Sequence, residues 1–380
     1  MTDRYQPDPI AWVRLSTVKL PLATAVSDAK VLTGRQDPLR AVDLLFAEIH
    51  TASGLQGLGF TYTLRKGGPA QYAYACELAP LLLGQDPNDI ARIWNHLVWA
   101  GASVGRSGLA MQAIAAFDTA LWDLKAKRAG LPLAKLLGAQ RDAVPCYNTS
   151  GGYLQASIGE LLEKAEHSRA RGIGGIKMKV GHPDRAVDLQ RVEALRKHLG
   201  DAVPLMVDVN QQWDRTTALR MGRALDPYHL TWIEEPLDAY DVEGHAQLAA
   251  QLETPIGTGE MLVSAAEACT YVERGAVDVI MHDAPRIGGI TPFLKVAAAA
   301  EARGMTMAPH FVMEIHLHLA AAYEHASWVE HFEWLEPAFN ERFEIADGLM
   351  KVPDRLGLGL TLHEQVTRWT EASQEFGVRP

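Results

Sequence analysis

Cysteine is scarce in this 380-residue sequence, and Cys76, Cys146 and Cys269 lie far apart with no CxxC spacing. An odd, scattered set argues against a disulfide framework and predicts reduced thiols in a cytoplasmic protein. No apolar run approaches the roughly 20 residues of a membrane span. The opening MTDRYQPDPIAW has no apolar segment after its basic residue, so no secretory leader is expected. Solenoid repeats, low-complexity tracts and Gly/Ser linkers are missing. Positive charge is outnumbered: 36 Lys and Arg against 46 Asp and Glu leave a formal net charge of −10, which argues against a nucleic-acid surface. An anionic small substrate stays compatible with that charge, because a metal ion and a few cations invert the field inside a cleft.

What is present is globular. The chain is 48% hydrophobic and 22% charged, ample for a core, and long enough for one large domain or two ordinary ones. Residues 10–60 read as strand, hairpin, strand, with Ser53-Gly54 and Gly57 supplying hairpin chemistry. From about 70 to 138 the apolar spacing becomes helical. Asp86 and Pro87 are expected to open one of these helices and Gly130 to close another. Strands followed by helices predict an α+β capping domain over 1–140.

After residue 143 short apolar runs alternate with helical stretches, as in GGIKMKV, PLMVDVN, LTWIEEP, TPIGTGE, VDVIMHDAP, MTMAPH and SWVEHFEW. Alternation implies a parallel sheet. This many units without a dinucleotide-type glycine turn predict a modified (β/α)7β TIM-type barrel over 141–345, with 346–380 returning to complete the cap.

Lys179, Asp208, Glu234, Glu260, Asp283, His310 and Glu330 fall at the C-terminal ends of those runs, separated by 29, 26, 26, 23, 27 and 20 residues, each about one strand plus one helix. In a barrel those ends converge on one mouth, where active sites are built. Three carboxylates from consecutive strands repel one another unless a cation lies among them, and oxygen ligands with open positions suit Mg2+. Separate carboxylates each neutralising a lysine are the bland alternative, which the regular spacing disfavours. Lys177 and Lys179 are two apart and so face the same way. Mutual repulsion and burial are expected to lower both ammonium pKa values and make a neutral amine base accessible. An exposed edge strand is the competing explanation of that alternation, but a barrel has no edge. Asp283 is placed to orient His310 through one ring nitrogen. His316 and His318, two apart in a helical stretch, do not share a face and read as structural. A metal flanked by lysine and imidazole suits proton abstraction from the carbon α to a carboxylate, with Lys177 and a protonated Glu330 donating to the developing enediolate.

The set KMK, DVN, EEP, TGE, DAPRIGG and APH resembles the enolase superfamily in its mandelate racemase subgroup, over nearly the whole chain. Within the subgroup, WAGASVGRSG, CYNTSGG, NQQWDR, EEPLDAYD and EHFEWLEPAFNE resemble the family of L-talarate/galactarate dehydratases. A cycloisomerase-like chain would carry lysine where Asp283 stands, and a glucarate-dehydratase-like chain asparagine where Glu260 stands. The resemblance implies Mg2+ on Asp208, Glu234 and Glu260, and Lys179 and His310 as acid/base catalysts on opposite faces of the substrate. It implies a hydro-lyase that takes the C2 proton of a hexaric diacid and expels the C3 hydroxyl to give a 2-keto-3-deoxy diacid, with C2 epimerisation permitted. A racemase or epimerase of a 2-hydroxy acid, a dehydratase of a monoacid sugar, and a catalytically silent homologue are the competing readings. Substrate contacts are expected from Asn210, Asn148, Lys30, Arg65 and Lys66, with Arg35 a further candidate. Leu64 stands where the resemblance leads one to expect lysine, and Lys66 compensates from the other side of Arg65. The subgroup also implies a homo-oligomer.

Overall fold

The computed structural model describes residues 5–149 and 152–379; Ser150 and Gly151 of the CYNTSGG stretch lie outside the described residues. The chain opens with strands β1 (Ile10–Val26), β2 (Leu39–Thr51) and β3 (Gln56–Leu64), joined antiparallel, and the last strand, Thr370–Gly377, pairs with β1 to complete a four-stranded sheet. The expected hairpin is present, with Val42 opposite Leu64 and His50 opposite Gln56. Alternation along the strands gives the sheet two apolar faces. Val13, Leu15, Leu45, Ala47 and Ile49 pack on the cap helices, chiefly Leu109–Arg128. Leu44, Phe46, Leu58, Phe60 and Tyr62 face the other way and share a core with barrel residues such as Phe311 and Phe339.

The helix Leu109–Arg128 approaches β3 closely because β3 carries glycine on that face: a Cβ on Gly59 would lie 2.2 Å from the carbonyl oxygen of Ala116. That contact presses Phe60 and Tyr62 toward the barrel, where Phe60 meets Phe339 at 5.4 Å and Tyr62 meets Phe311 edge-on at 4.9 Å between ring centroids. Each fully buried ring contributes roughly 1.5–3 kcal/mol. The helix expected to open at Asp86 begins instead at Ile90, because Asp86 turns back to accept from the Asn88 amide at 2.9 Å.

The second sheet contains β4 (Ala143–Asn148), β5 (Gly175–Lys179), β6 (Leu205–Asp208), β7 (Ile233–Glu234), β8 (Ile256–Thr258), β9 (Val279–Ile280), β10 (Thr306–Met307) and β11 (Val329–His331), paired parallel in chain order. β11 pairs with β4, and the residues leading into it pair with β10 through Met307 and Ser327 and through the Trp328 amide on the Met307 carbonyl at 2.9 Å. These contacts close the ring as a (β/α)7β barrel. A short antiparallel pair, β12 (Ile345–Ala346) and β13 (Leu349–Lys351), leans on the outer end of β4 before the chain returns to the cap as β14 (Thr370–Gly377).

Two-residue periodicity builds the barrel interior in layers. Tyr147, Met206, Trp232, Met281 and Ala308 form an apolar floor with Trp328 against it. Each of the last five lies two residues before one of the ionisable residues singled out from the sequence, so floor and site are successive inward positions on the same strands.

Candidate catalytic site

At the mouth of the barrel Lys179, Asp208 and Glu234 end β5, β6 and β7, and Glu260, Asp283 and His310 lie just beyond β8, β9 and β10. Local backbone turns aim them. Asn210 sits at φ 48°, and its amide donates to Asp208 Oδ1 at 2.9 Å, folding the chain back over the carboxylate. Gly259 sits at φ 148°, where a Cβ would meet the His282 amide nitrogen at 2.6 Å; glycine is required there to deliver Glu260. Asp283 caps the short helix Ala284–Ile287 by accepting from the Arg286 amide at 3.2 Å.

Asp208, Glu234 and Glu260 are buried, and each offers an oxygen within 4.8 Å of the others. Lys177 is 1% exposed; its Nζ lies 2.9 Å from both Glu234 oxygens and 2.7 Å from Glu330 Oε1. Lys179 Nζ is bonded to Asp208 Oδ2, and His310 Nε2 lies 3.4 Å from Glu260 Oε2. On its other side His310 Nδ1 lies 2.9 Å from Asp283 Oδ2. The carboxylate row is thus flanked by an ammonium at the Asp208 end and an imidazole at the Glu260 end.

Electrostatics correct two expectations. Both lysine pKa values were expected to fall. Burial opposes the charge of each, but the carboxylates outweigh it: Glu234 and Glu330 hold Lys177 well above the ordinary lysine value, and Asp208 raises Lys179. Glu330 was expected to be protonated and to donate. Burial pushes its pKa up, yet the Lys177 ammonium prevails and holds it below the ordinary value. Its oxygens accept from Lys177, from Thr149 Oγ1 at 2.9 Å and from the Phe311 amide at 3.0 Å. A carboxylate so engaged is an acceptor that anchors Lys177. Glu234 goes the other way, raised by burial and by the neighbouring Asp208, Glu330 and Glu260 despite Lys177. The three convergent carboxylates form a donor set that fits a hard divalent cation, and the buried Asn210 Oδ1 beside them has no hydrogen-bond partner.

Above this layer a cavity of about 250 Å3 is lined by Lys179, Asn210, Glu260 and His310 from the barrel, and by Lys30, Tyr62, Arg65 and Lys66 from the cap. Arg65, at φ 69°, is committed to the loop beside it: its Nε donates to the Asp37 carbonyl at 2.8 Å, and its guanidinium pairs with Asp28 at 3.4 Å. Lys66 is exposed at the rim. No ion pair or hydrogen bond among the described residues holds the Lys30 ammonium, whose charge favours the ionised forms of Glu260 and Glu235. Two expected contacts are not brought to the cavity. Asn148 follows the inward-facing Tyr147, so its side chain points outward and accepts from Ser168 Oγ at 3.0 Å. Arg35 reaches the Gln211 carbonyl at 3.4 Å. His316 and His318 are buried, accepting from the amides of Ala284 and Ala134.

Sequence reasoning passed over Tyr62 and Arg286. Tyr62 donates to Asp283 Oδ2 at 2.6 Å, and Arg286 Nε donates to the Tyr62 oxygen at 3.0 Å. Arg286 carried a signal, lying three residues past Asp283 in DAPRIGG. Tyr62 carried none, since it is 221 positions away in another sheet.

Residues 36–138 match the mandelate racemase / muconate lactonizing enzyme N-terminal domain, and residues 160–366 match the enolase C-terminal domain-like family. The chain is 60% identical over 373 residues to the L-talarate/galactarate dehydratase of Salmonella typhimurium, covering 98% of this chain and 94% of that one. It is 38% identical to a 3,6-anhydro-alpha-L-galactonate cycloisomerase of Streptomyces coelicolor, across 92% of this chain and 96% of that enzyme. Among solved structures, L-talarate dehydratase from Polaromonas sp. JS666, complexed with Mg and L-glucarate, superposes with a TM-score of 0.96 at 65% identity, covering 98% of this chain and 100% of that one. The chain therefore belongs to the mandelate racemase / muconate lactonizing enzyme family of the enolase superfamily.

Proposed function

We propose that the protein is a Mg2+-dependent hydro-lyase acting on the hexaric diacids L-talarate and galactarate, converting them to a 2-keto-3-deoxy diacid. The observation that carries this reading is the flanked carboxylate row: Lys179 bonded at the Asp208 end and His310 Nε2 3.4 Å from the Glu260 end, both lining one cavity. The 60% identity to a dehydratase of these two diacids supports the substrate class. A cavity of about 250 Å3 suits a small polyhydroxy acid.

In this reading Asp208, Glu234 and Glu260 hold the ion, with Asn210 beside them. When bound, Mg2+ would polarise the substrate carboxylate and would share with Lys177 the neutralisation of the three carboxylates, loosening the hold of Asp208 on Lys179. Lys179 and His310 then stand on opposite sides of C2, and the configuration there decides which of them removes the proton as general base. The opposed group holds a proton for the departing C3 hydroxyl. Asp283 keeps His310 Nδ1 protonated, so Nε2 faces the cavity. Lys177, fixed by Glu330, sets a positive charge under the developing enediolate. Lys30, Arg65 and Lys66 supply the cationic side of the cavity for the distal carboxylate.

The reading includes a cytoplasmic homo-oligomer divided into a cap over 1–140, a barrel over 141–345 and a return segment over 346–380. The scattered spacing of Cys76, Cys146 and Cys269, with no CxxC pair, supports the compartment, and the likeness to the subgroup supports assembly. No helix among the described residues is long and apolar enough to cross a membrane.

The test is a keto-acid assay with Mg2+ on L-talarate, galactarate, D-glucarate and L-fuconate, with wild type, Lys179→Ala and His310→Asn. Turnover of the first two diacids, lost in both variants, is expected. Turnover of the monoacid alone would overturn the diacid assignment. Exchange of the C2 hydrogen without keto product would make the enzyme an epimerase.

A further inference from the structure

Tyr62 carries the cap into the catalytic layer. Tyr62, on β3, is fully buried, and its hydroxyl lies 2.6 Å from Asp283 Oδ2, the same oxygen that lies 2.9 Å from His310 Nδ1. Arg286 Nε donates to the Tyr62 oxygen at 3.0 Å, and Arg286 Nη1 donates to the Glu260 carbonyl at 2.6 Å. The tyrosine ring packs edge-on against Phe311, the residue after His310, at 4.9 Å. With its single proton given to Asp283, the hydroxyl approaches His310 Nδ1 at 3.3 Å as a contact.

We propose that Tyr62 is a positioning residue for the His310–Asp283 pair, supplied by the cap, which controls how Asp283 Oδ2 is shared between the imidazole and Arg286. The inference rests on the functional reading above, in which His310 serves one face of the substrate.

The physical argument concerns competition for one oxygen. The Arg286 guanidinium is buried and lies 4.0 Å from Asp283 Oδ2, one short movement from a direct ion pair. The Tyr62 hydroxyl stands in that path. It accepts from Arg286 and donates to Asp283, satisfying both and leaving Oδ2 a lone pair for Nδ1–H. Without the hydroxyl, Arg286 loses its acceptor and Asp283 a donor, and the two are drawn together. His310 then loses the orientation of its ring, while Lys179, held by Asp208 on the other side, is untouched. Because Tyr62 belongs to the cap sheet, the dyad is complete only when cap and barrel are seated on one another.

The experiment is C2–H exchange of the Mg2+-loaded enzyme in deuterated water, followed by NMR on galactarate and on L-talarate. Lys179→Ala and His310→Asn assign each catalyst to its substrate face. In Tyr62→Phe the ratio of His310-face to Lys179-face exchange is expected to fall about 10- to 100-fold, the scale of a misplaced catalytic group. A substrate-independent readout accompanies it: the downfield Nδ1 proton resonance, assigned by its loss in His310→Asn, is expected to move or broaden in Tyr62→Phe. If the phenylalanine variant does not fold, 3-fluorotyrosine at position 62 keeps the hydroxyl with altered donor strength and is expected to shift the same resonance. Equal loss on both faces, no change in the ratio, or an unmoved resonance overturns the proposal. If wild type neither exchanges the C2 hydrogen nor forms keto product from either diacid, the functional reading fails; in that case, and where product forms without exchange, the resonance alone decides whether Tyr62 positions His310.

Discussion

Lys177 holds Glu234 symmetrically, its Nζ 2.9 Å from each carboxylate oxygen. Both side chains are buried, so the ammonium is the internal counter-charge of the carboxylate cluster, and Glu330, 2.7 Å away, shares it. Removing one partner of a buried pair costs about 3–5 kcal/mol, because the other charge is left uncompensated. Lys177→Met is therefore expected to lower the thermal midpoint of the metal-free protein, and the deficit should narrow when Mg2+ is added. Thermal unfolding with and without Mg2+ checks this; a deficit that Mg2+ leaves unchanged would remove the cluster as its cause.

Glu260 depends on the glycine before it. At φ 148°, with a would-be Cβ 2.6 Å from the His282 nitrogen, Gly259→Ala must displace the backbone, at a cost on the order of 1–3 kcal/mol. The proposed ion at 100 times its Kd stabilises the folded state by about 2.7 kcal/mol. Gly259→Ala and Glu260→Gln are each expected to reduce that Mg2+-induced gain, and EDTA to abolish it in wild type. A Mg2+ titration of the unfolding midpoint measures it, and a full gain in Glu260→Gln would place the ion elsewhere.

The cavity cations differ in what already holds them. Arg65 is paired with Asp28, whereas nothing among the described residues holds the Lys30 ammonium. Lys30→Met is expected to raise KM for the diacids about 10-fold or more, the worth of a charge-assisted hydrogen bond, with little effect on a monoacid. Arg65→Met releases the loop carrying Asp28 and should change kcat and KM together. Steady-state kinetics on galactarate and L-fuconate separate the two; equal KM effects of Lys30→Met on both substrates would count against a distal-carboxylate contact.

Glu314, in the helix Met313–Ala322, is buried, and burial pushes its pKa up to about 8. Below the ordinary glutamate value both folded and unfolded states carry the proton. Between that value and about 8 the unfolded state ionises while the folded state keeps its proton, so stability falls as pH rises, by about 1.4 kcal/mol per pH unit. Glu314→Gln removes this slope. Denaturant unfolding at pH 5 and pH 8 should show wild type losing several kcal/mol relative to the variant across that interval; parallel losses would mean Glu314 is not the titrating group.

Strand–helix alternation and the regular spacing from Lys179 to Glu330 made the barrel and its ring of ionisable residues legible from sequence, because one strand plus one helix repeats the same inward position. The two-residue period likewise put Lys177 and Lys179 on one face. Protonation was not legible in that way: the lysines were expected to lower one another's pKa, but Glu234, Glu330 and Asp208 lie nearer to them than sequence spacing reveals. Asn148 was misassigned because parity on a short strand decides inward from outward, and Tyr147 took the inward place.

The residue types and their periodicity, local properties of the chain, determined the architecture, the carboxylate row, and Lys179 and His310 at strand ends. Tertiary structure alone decided which charges neutralise which, that Arg65 is committed to Asp28 while Lys30 is not, and that Tyr62 reaches Asp283 across 221 residues. Those are distances between segments remote in sequence, set by how the glycine-faced β3 packs under its helix and onto the barrel, and no local pattern encodes them.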